Sequence, residues 1–283
     1  KLLESAEKME HNIFTSHEMF KGKVAATLFF EPSTRTHLSF QTAAQRLGMS
    51  VVPYYHGASS SSKGESLRDT LKIVDGYADI LILRHPLEGS ARWAAEMAQH
   101  PVVNAGDGGN QHPTQTLIDL YAIIKAKGKI KGLSVQLVGD LKHARAMRSL
   151  LHALGMFGAN VKLAAPIGLE MDPAIIQEAE EKFGAKITQT AELDLSGSDV
   201  VYVCRIQKER FADPYAASKL AASFHISPEL LKSAKADMIL MHPLPKIDEI
   251  PPEVDASPHA YYFQQARCGV PVRMAVLAYC MKG

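Results

Sequence analysis

Along the chain, short apolar runs rich in β-branched residues alternate with segments whose apolar positions follow the helical period. The runs at 23–30, 50–55, 79–83, 102–105, 134–138, 160–164, 186–190, 199–203 and 238–241 have the length and composition of buried strands. Between them, Phe40, Ala43, Ala44 and Leu47 share one helical face, as do Leu67, Leu71, Val74 and Ala78. Gly48 closes the first of these helices, at the position where glycine ends a helix most readily. Alternation of strands and helices predicts an α/β protein whose parallel sheets carry helices on both faces.

Nine strands suit two four- or five-stranded sheets better than one. The seam is placed at 125–132 (KAKGKIKG), a break in the apolar pattern after a long helix that opens at Pro113. The expectation is therefore two doubly wound parallel-sheet domains joined by helices, 1–125 and 126–266, with a C-terminal helix at 267–283 packing back on the first. The chain opens at Lys1, not Met, inside a helix-period segment, so further N-terminal sequence or a longer polypeptide is expected.

Composition narrows the chemistry. The 283 residues are 46% hydrophobic, enough for a large core, and the net charge is +1. Bases scattered singly at that charge give neither the footprint of a nucleic-acid binder nor a polybasic membrane patch. No run is apolar for long enough to cross a bilayer. Cys204, Cys268 and Cys280 have no metal-ligand or redox spacing and fit a reducing, cytoplasmic setting. Residues 137–140 (LVGD) lack the remaining glycines of a dinucleotide turn, so neither a cofactor nor a metal is expected.

Parallel sheets hold ligands beyond the carboxyl ends of their strands. In this chain those ends are followed by 31–36 (EPSTRT), 56–65 (HGASSSSKGE), 84–86 (RHP), 106–115 (GDGGNQHPTQ), 139–145 (GDLKHAR), 205–210 (RIQKER) and 242–245 (HPLP). Polar and cationic clusters at strand end after strand end mark a site. Ser33, Thr34, Arg35 and Thr36 open a helix after Pro32, which suits a phosphate, although plain capping accounts for the hydroxyls alone. His112 and Gln115 open another helix, either as a donor to a carbonyl oxygen with a substrate contact or as a cap with an incidental histidine. Arg145 and Arg205 follow strands of the second half and either converge on carboxylates or form surface ion pairs. The serine run before Lys63 reads from composition as a solvated loop. Cys204 beside Arg205 raises the question of oxidation sensitivity, against the inertness usual for a strand cysteine.

Taken in order, FFEPSTRTHLSF, SSKGESLRDT, LRHP, NAGDGGNQHPTQTLIDL, VGDLKHAR, RIQKER, HPLP and YYFQQA resemble the catalytic chains of aspartate transcarbamoylases over nearly the whole length. The resemblance implies a carbamoyl-phosphate-binding domain at 1–125, an aspartate-binding domain at 126–266, and a homotrimer with shared active sites. It implies carbamoyl transfer from carbamoyl phosphate to the amine of L-aspartate, giving N-carbamoyl-L-aspartate and phosphate, a step of de novo pyrimidine biosynthesis. It assigns phosphate binding to Ser33, Thr34, Arg35 and Thr36, and carbamoyl phosphate also to Arg84 and His112, with Gln115 at the carbamoyl nitrogen. Ser59 and Lys63 enter a neighbouring subunit's site, Arg145, Arg205 and Gln207 hold the aspartate carboxylates, and the backbone of Leu244 and Pro245 lines the site. Regulatory chains and fused partners are left open.

Ornithine transcarbamoylases share the phosphate run but typically have His-Cys-Leu-Pro where this chain has 242–245 (HPLP), and they lack the arginine-rich stretch at 205–210. A non-catalytic scaffold is disfavoured because Arg35, Lys63, Arg84, His112, Arg145 and Arg205 are all present. One departure is Ala144 and Ala146 where the family usually has Gly and Thr around the arginine. The lost hydroxyl is expected to weaken aspartate binding by about 1 kcal/mol.

Overall fold

A computed structural model describes residues 1–55, 64–208, 211, 213, 215, 220 and 223–282. It divides into two compact units, Lys1–Tyr121 with Cys268–Gly283, and Ala122–Arg267.

The first unit is built on β1 (Val24–Phe29), β2 (Ser50–Tyr55), β3 (Ile80–His85) and β4 (Val102–Asp107), a parallel sheet in the order β2-β1-β3-β4. Its helices are α1 (Leu2–His11), α2 (Thr34–Arg46), α3 (Leu67–Asp75), α4 (Ser90–Met97) and the start of α5 (Pro113–Lys127), inside which the division falls. The second unit holds β5 (Ser134–Gly139), β6 (Asn160–Ala164), β7 (Lys186–Thr190), β8 (Val200–Cys204) and β9 (Ile239–Met241), parallel in the order β7-β6-β5-β8-β9. Around it lie α6 (Arg145–Met156), α7 (Pro173–Phe183), α8 (Pro228–Leu231) and α9 (Tyr262–Arg267). The final helix, α10 (Gly269–Lys282), returns to the first unit against α1 and α2.

The α/β class and the two parallel sheets agree with the sequence reading. Buried strands explain why the runs lacked alternation: Ala25, Ala26, Leu28 and residues 80–83 are inaccessible, and so are Val200, Val201, Tyr202 and Val203 of β8. Phe40, Ala43, Ala44 and Leu47 are all fully buried, as their helical spacing predicts. Gly48 has φ +86°, and a Cβ there would lie 1.9 Å from the His17 carbonyl oxygen, so no other residue fits. Strands β3, β4 and β5 run one or two residues further than their apolar runs, because Arg84, His85, Gly106, Asp107 and Gly139 extend them with polar residues and glycine rather than apolar ones.

Both sheets share one winding. In each, the first strand is flanked by the second on one side and a later strand on the other, so the order reverses at β1/β3 and at β5/β8. Crevices at such reversals are where open α/β sheets bind ligands. The opposite ends are closed by a repeated device. Asp79 accepts the Val24 N–H at 2.8 Å and pairs with Lys23, and Asp199 accepts the Ser134 N–H at 2.8 Å and pairs with Lys235. Among the described residues no helix is long and apolar enough to span a membrane, and no group of three or more His, Cys, Asp or Glu is placed to hold a metal.

Candidate active site

In the first unit, the chain leaves β1 and enters α2 with Ser33 at the N-cap position. Its hydroxyl makes no cap hydrogen bond, so capping does not account for it. Thr34 and Arg35 are exposed at this helix start, and Thr36 is buried. Helix N-termini carry partial positive charge and unpaired N–H groups, which an anion satisfies. Arg84 is the penultimate residue of β3, beside this turn. Its Nη2 lies 2.6 Å from Glu31 Oε1, and its Nη1 donates to the Ala105 carbonyl at 3.3 Å and lies 3.5 Å from His112 Nε2.

His112 is buried just ahead of α5, and Gln115 in the first turn of that helix donates to the fully buried Asp119 at 2.8 Å. The loop that delivers His112 is tied to Asp107, itself 2% exposed. The Asp107 carboxylate accepts from Asn104 Nδ2, Asn110 Nδ2 and the N–H groups of Gly89 and Gln111, all at 3.0–3.1 Å. Ser33, Thr34, Arg35, Thr36, Arg84, His112 and Gln115 thus stand at the carboxyl end of one sheet. Ser59 and Lys63 lie outside the described residues.

The second unit repeats the arrangement. Arg145 begins α6, whose N-cap Ala144 contributes no side-chain bond. Arg205 and Gln207 follow β8, and Arg205 lines a cavity of about 160 Å³ with Ile206, Lys208, Phe224 and Glu249. Asp140, wholly buried, accepts the His143 N–H at 3.0 Å and the Gln207 N–H at 3.3 Å, so one carboxylate ties the loop after β5 to the loop after β8. Leu244 and Pro245 follow β9; Leu244 has φ +52° and the bond between them is cis. Cys204 is buried, its thiol donates to the Asp140 carbonyl at 3.4 Å, and burial together with the nearby Asp140 pushes its pKa up, so it is poorly suited to oxidation chemistry.

Sequence reasoning passed over the residues that hold these loops: Glu31, Asp107, Asp119, Asp140, His242, Glu249 and Gln265. A signal existed for two of them. Gly106-Asp107 and Gly139-Asp140 are the same dipeptide at a strand's end, with glycine φ of +123° and +113°. The positive φ turns the chain and the aspartate gathers the N–H groups exposed by the turn.

Two parallel-sheet units, each with cationic side chains at its winding reversal, define a class. One family model, aspartate/ornithine carbamoyltransferase, carbamoyl-P binding domain, matches residues 1–125, and a second, the Asp/Orn binding domain, matches residues 131–280. The chain belongs to the aspartate/ornithine carbamoyltransferase family.

Within that family the chain is similar to aspartate carbamoyltransferase catalytic subunits. That of Thermococcus onnurineus is 50% identical over 98% of this chain and 90% of the relative, and that of Methanocella arvoryzae 50% over 99% and 92%. Among solved structures, the catalytic subunit of M. jannaschii aspartate transcarbamoylase has a TM-score of 0.91 at 46% identity, covering 99% of this chain and 93% of that one. Aspartate transcarbamoylase from Trypanosoma cruzi, in complex with carbamoyl phosphate and aspartate, has a TM-score of 0.90 at 40% identity, covering 98% and 91%.

Proposed function

We propose that this chain is an aspartate carbamoyltransferase, moving the carbamoyl group of carbamoyl phosphate to the amine of L-aspartate and releasing phosphate, in de novo pyrimidine biosynthesis. The observation that carries the proposal is the placement of two unlike residue sets at equivalent reversals. An anion cradle of hydroxyls, Arg35 and a helix start stands at β1/β3, and paired arginines stand after β5 and β8. The first suits a phosphoryl group and the second a dicarboxylate.

In this reading Ser33, Thr34, Arg35 and Thr36 hold the phosphate. As the amine attacks, charge builds on the carbonyl oxygen, where Thr36, Arg84 and His112 donate, and Gln115 takes the carbamoyl nitrogen. Arg145, Arg205 and Gln207 bind the aspartate carboxylates, and the backbone of Leu244 and Pro245 contacts the substrates. Departing phosphate gains charge that Arg35 and the α2 N-terminus meet, joined by Ser59 and Lys63 of a neighbouring subunit in a homotrimer. The family resemblance supports the trimer and the shared site. Cys204, Cys268 and Cys280 form no disulfide, which supports a cytoplasmic setting.

Titration with N-(phosphonacetyl)-L-aspartic acid, which joins a phosphonate to aspartate, tests the assignment. Arg35→Ala and Arg205→Ala should each weaken binding by about tenfold or more, since a lost charged contact costs roughly 1.5–3 kcal/mol. An unchanged affinity in either variant contradicts the role given to that residue.

A further inference from the structure

Among the described residues Leu244 is the only non-glycine with a positive φ, at +52°. A leucine holds that conformation only where its surroundings impose it. Here the surroundings are two buried side chains. The Leu244 N–H donates to His242 Nδ1 at 2.8 Å. With Nδ1 accepting, the ring proton sits on Nε2, which lies 2.9 Å from Glu249 Oε1. The same oxygen accepts the Ile247 N–H at 3.1 Å, and the His242 N–H donates to Gln265 Oε1 at 2.9 Å. His242, Glu249 and Gln265 are 2%, 8% and 1% exposed.

A carboxylate in such a place needs a reason, because burying one is costly unless its partners are well placed. Burial alone pushes the Glu249 carboxyl up, but the adjacent His242 imidazole and hydrogen bonds from backbone N–H groups hold it below the usual carboxylate range. Glu249 therefore stays charged and orients the imidazole, as carboxylates orient histidines at metal and catalytic sites.

We infer that Glu249 and His242 form a positioning pair: the carboxylate fixes the histidine tautomer, the histidine fixes the left-handed Leu244, and the Leu244 carbonyl is thereby held in place for the substrates. The inference rests on the reading of Leu244 and Pro245 as substrate contacts. Both side chains are buried and act through Leu244, so neither is a catalytic residue. The chemical role predicts which ring nitrogen matters. Asparagine places its amide oxygen near the locus of Nδ1 and keeps the acceptor for Leu244, whereas glutamine reaches the locus of Nε2 and does not.

His242→Asn, His242→Gln and Glu249→Ala are assayed in the full-length chain for kcat and for both KM values, with Tm as a check on folding. The expected result is a fall in kcat of about 10²-fold for His242→Gln, the penalty of a misplacement on the order of 1 Å. His242→Asn recovers most of this, and the KM for carbamoyl phosphate stays near wild type because its phosphate ligands lie in the first unit. Glu249→Ala lowers kcat like His242→Gln, and combining the two adds little, as for residues acting as one unit. Equal kcat in His242→Asn and His242→Gln overturns the inference. So does a crystal structure of His242→Gln in which Leu244 keeps its left-handed φ, a readout independent of activity. Wild-type protein that fails to carbamoylate aspartate fails the functional reading by itself, before any variant is compared.

Discussion

Arg84 and Glu31 show how the site residues are held before substrate arrives. The Arg84 side chain is 12% exposed, and a guanidinium so enclosed needs an anion, which Glu31 supplies at 2.6 Å. Arginine at a strand's end was legible because a charge interrupting an apolar run stands out. Glu31 was not, since an acid beside a site for anions makes sense only as a partner for the arginine. Ala146, the second residue of α6, bears on the acceptor. Ala146→Thr restores a hydroxyl beside Arg145 and should lower the aspartate KM about fivefold, the effect of one hydrogen bond of about 1 kcal/mol. An unchanged KM removes that explanation for the departure.

At the scale of elements, the loop between β4 and α5 is tightly specified by its backbone. Gly108 has φ +55°, its N–H donates to the His85 carbonyl at 2.8 Å, and a Cβ there would lie 2.5 Å from the Pro86 carbonyl oxygen. Gly108→Ala should destabilise the fold by about 1–3 kcal/mol, the range for a residue forced into a disfavoured backbone region. It should also lower kcat by displacing His112; denaturant unfolding and steady-state kinetics read the two effects. Wild-type stability and rate contradict this reading of the loop. Strands and helix faces were legible because burial writes a period into the sequence. The loop's geometry was not, because Asp107 acts through four N–H···O bonds whose donors no periodicity connects.

Across the whole molecule, two units wound alike set the proposed site residues at equivalent places: at the carboxyl ends of β1, β3 and β4 in one, and of β5, β8 and β9 in the other. The likeness was hidden in the sequence because the halves share backbone paths and end devices rather than side chains. One device has a pH consequence. Lys23 and the Val24 N–H hold the Asp79 carboxyl below its ordinary value. Burial alone pushes Asp199 up, but Lys235 and the Ser134 N–H outweigh it and hold it down. Groups with depressed folded-state pKa values stabilise fully above their unfolded-state pKa, and that contribution is lost as pH falls through the folded-state value. Tm should therefore drop below about pH 4, and Asp79→Asn with Asp199→Asn should flatten the drop. An equally steep drop in the double variant assigns the acid sensitivity elsewhere. The central claim, that a phosphate-binding unit and a dicarboxylate-binding unit together make an aspartate carbamoyltransferase, is met most directly by one assay. Carbamoyl transfer from carbamoyl phosphate is measured in parallel with aspartate and with ornithine as acceptor. The account predicts N-carbamoyl-L-aspartate and phosphate with aspartate and no turnover with ornithine. Turnover with ornithine alone would contradict the roles given to Arg145, Arg205 and Gln207.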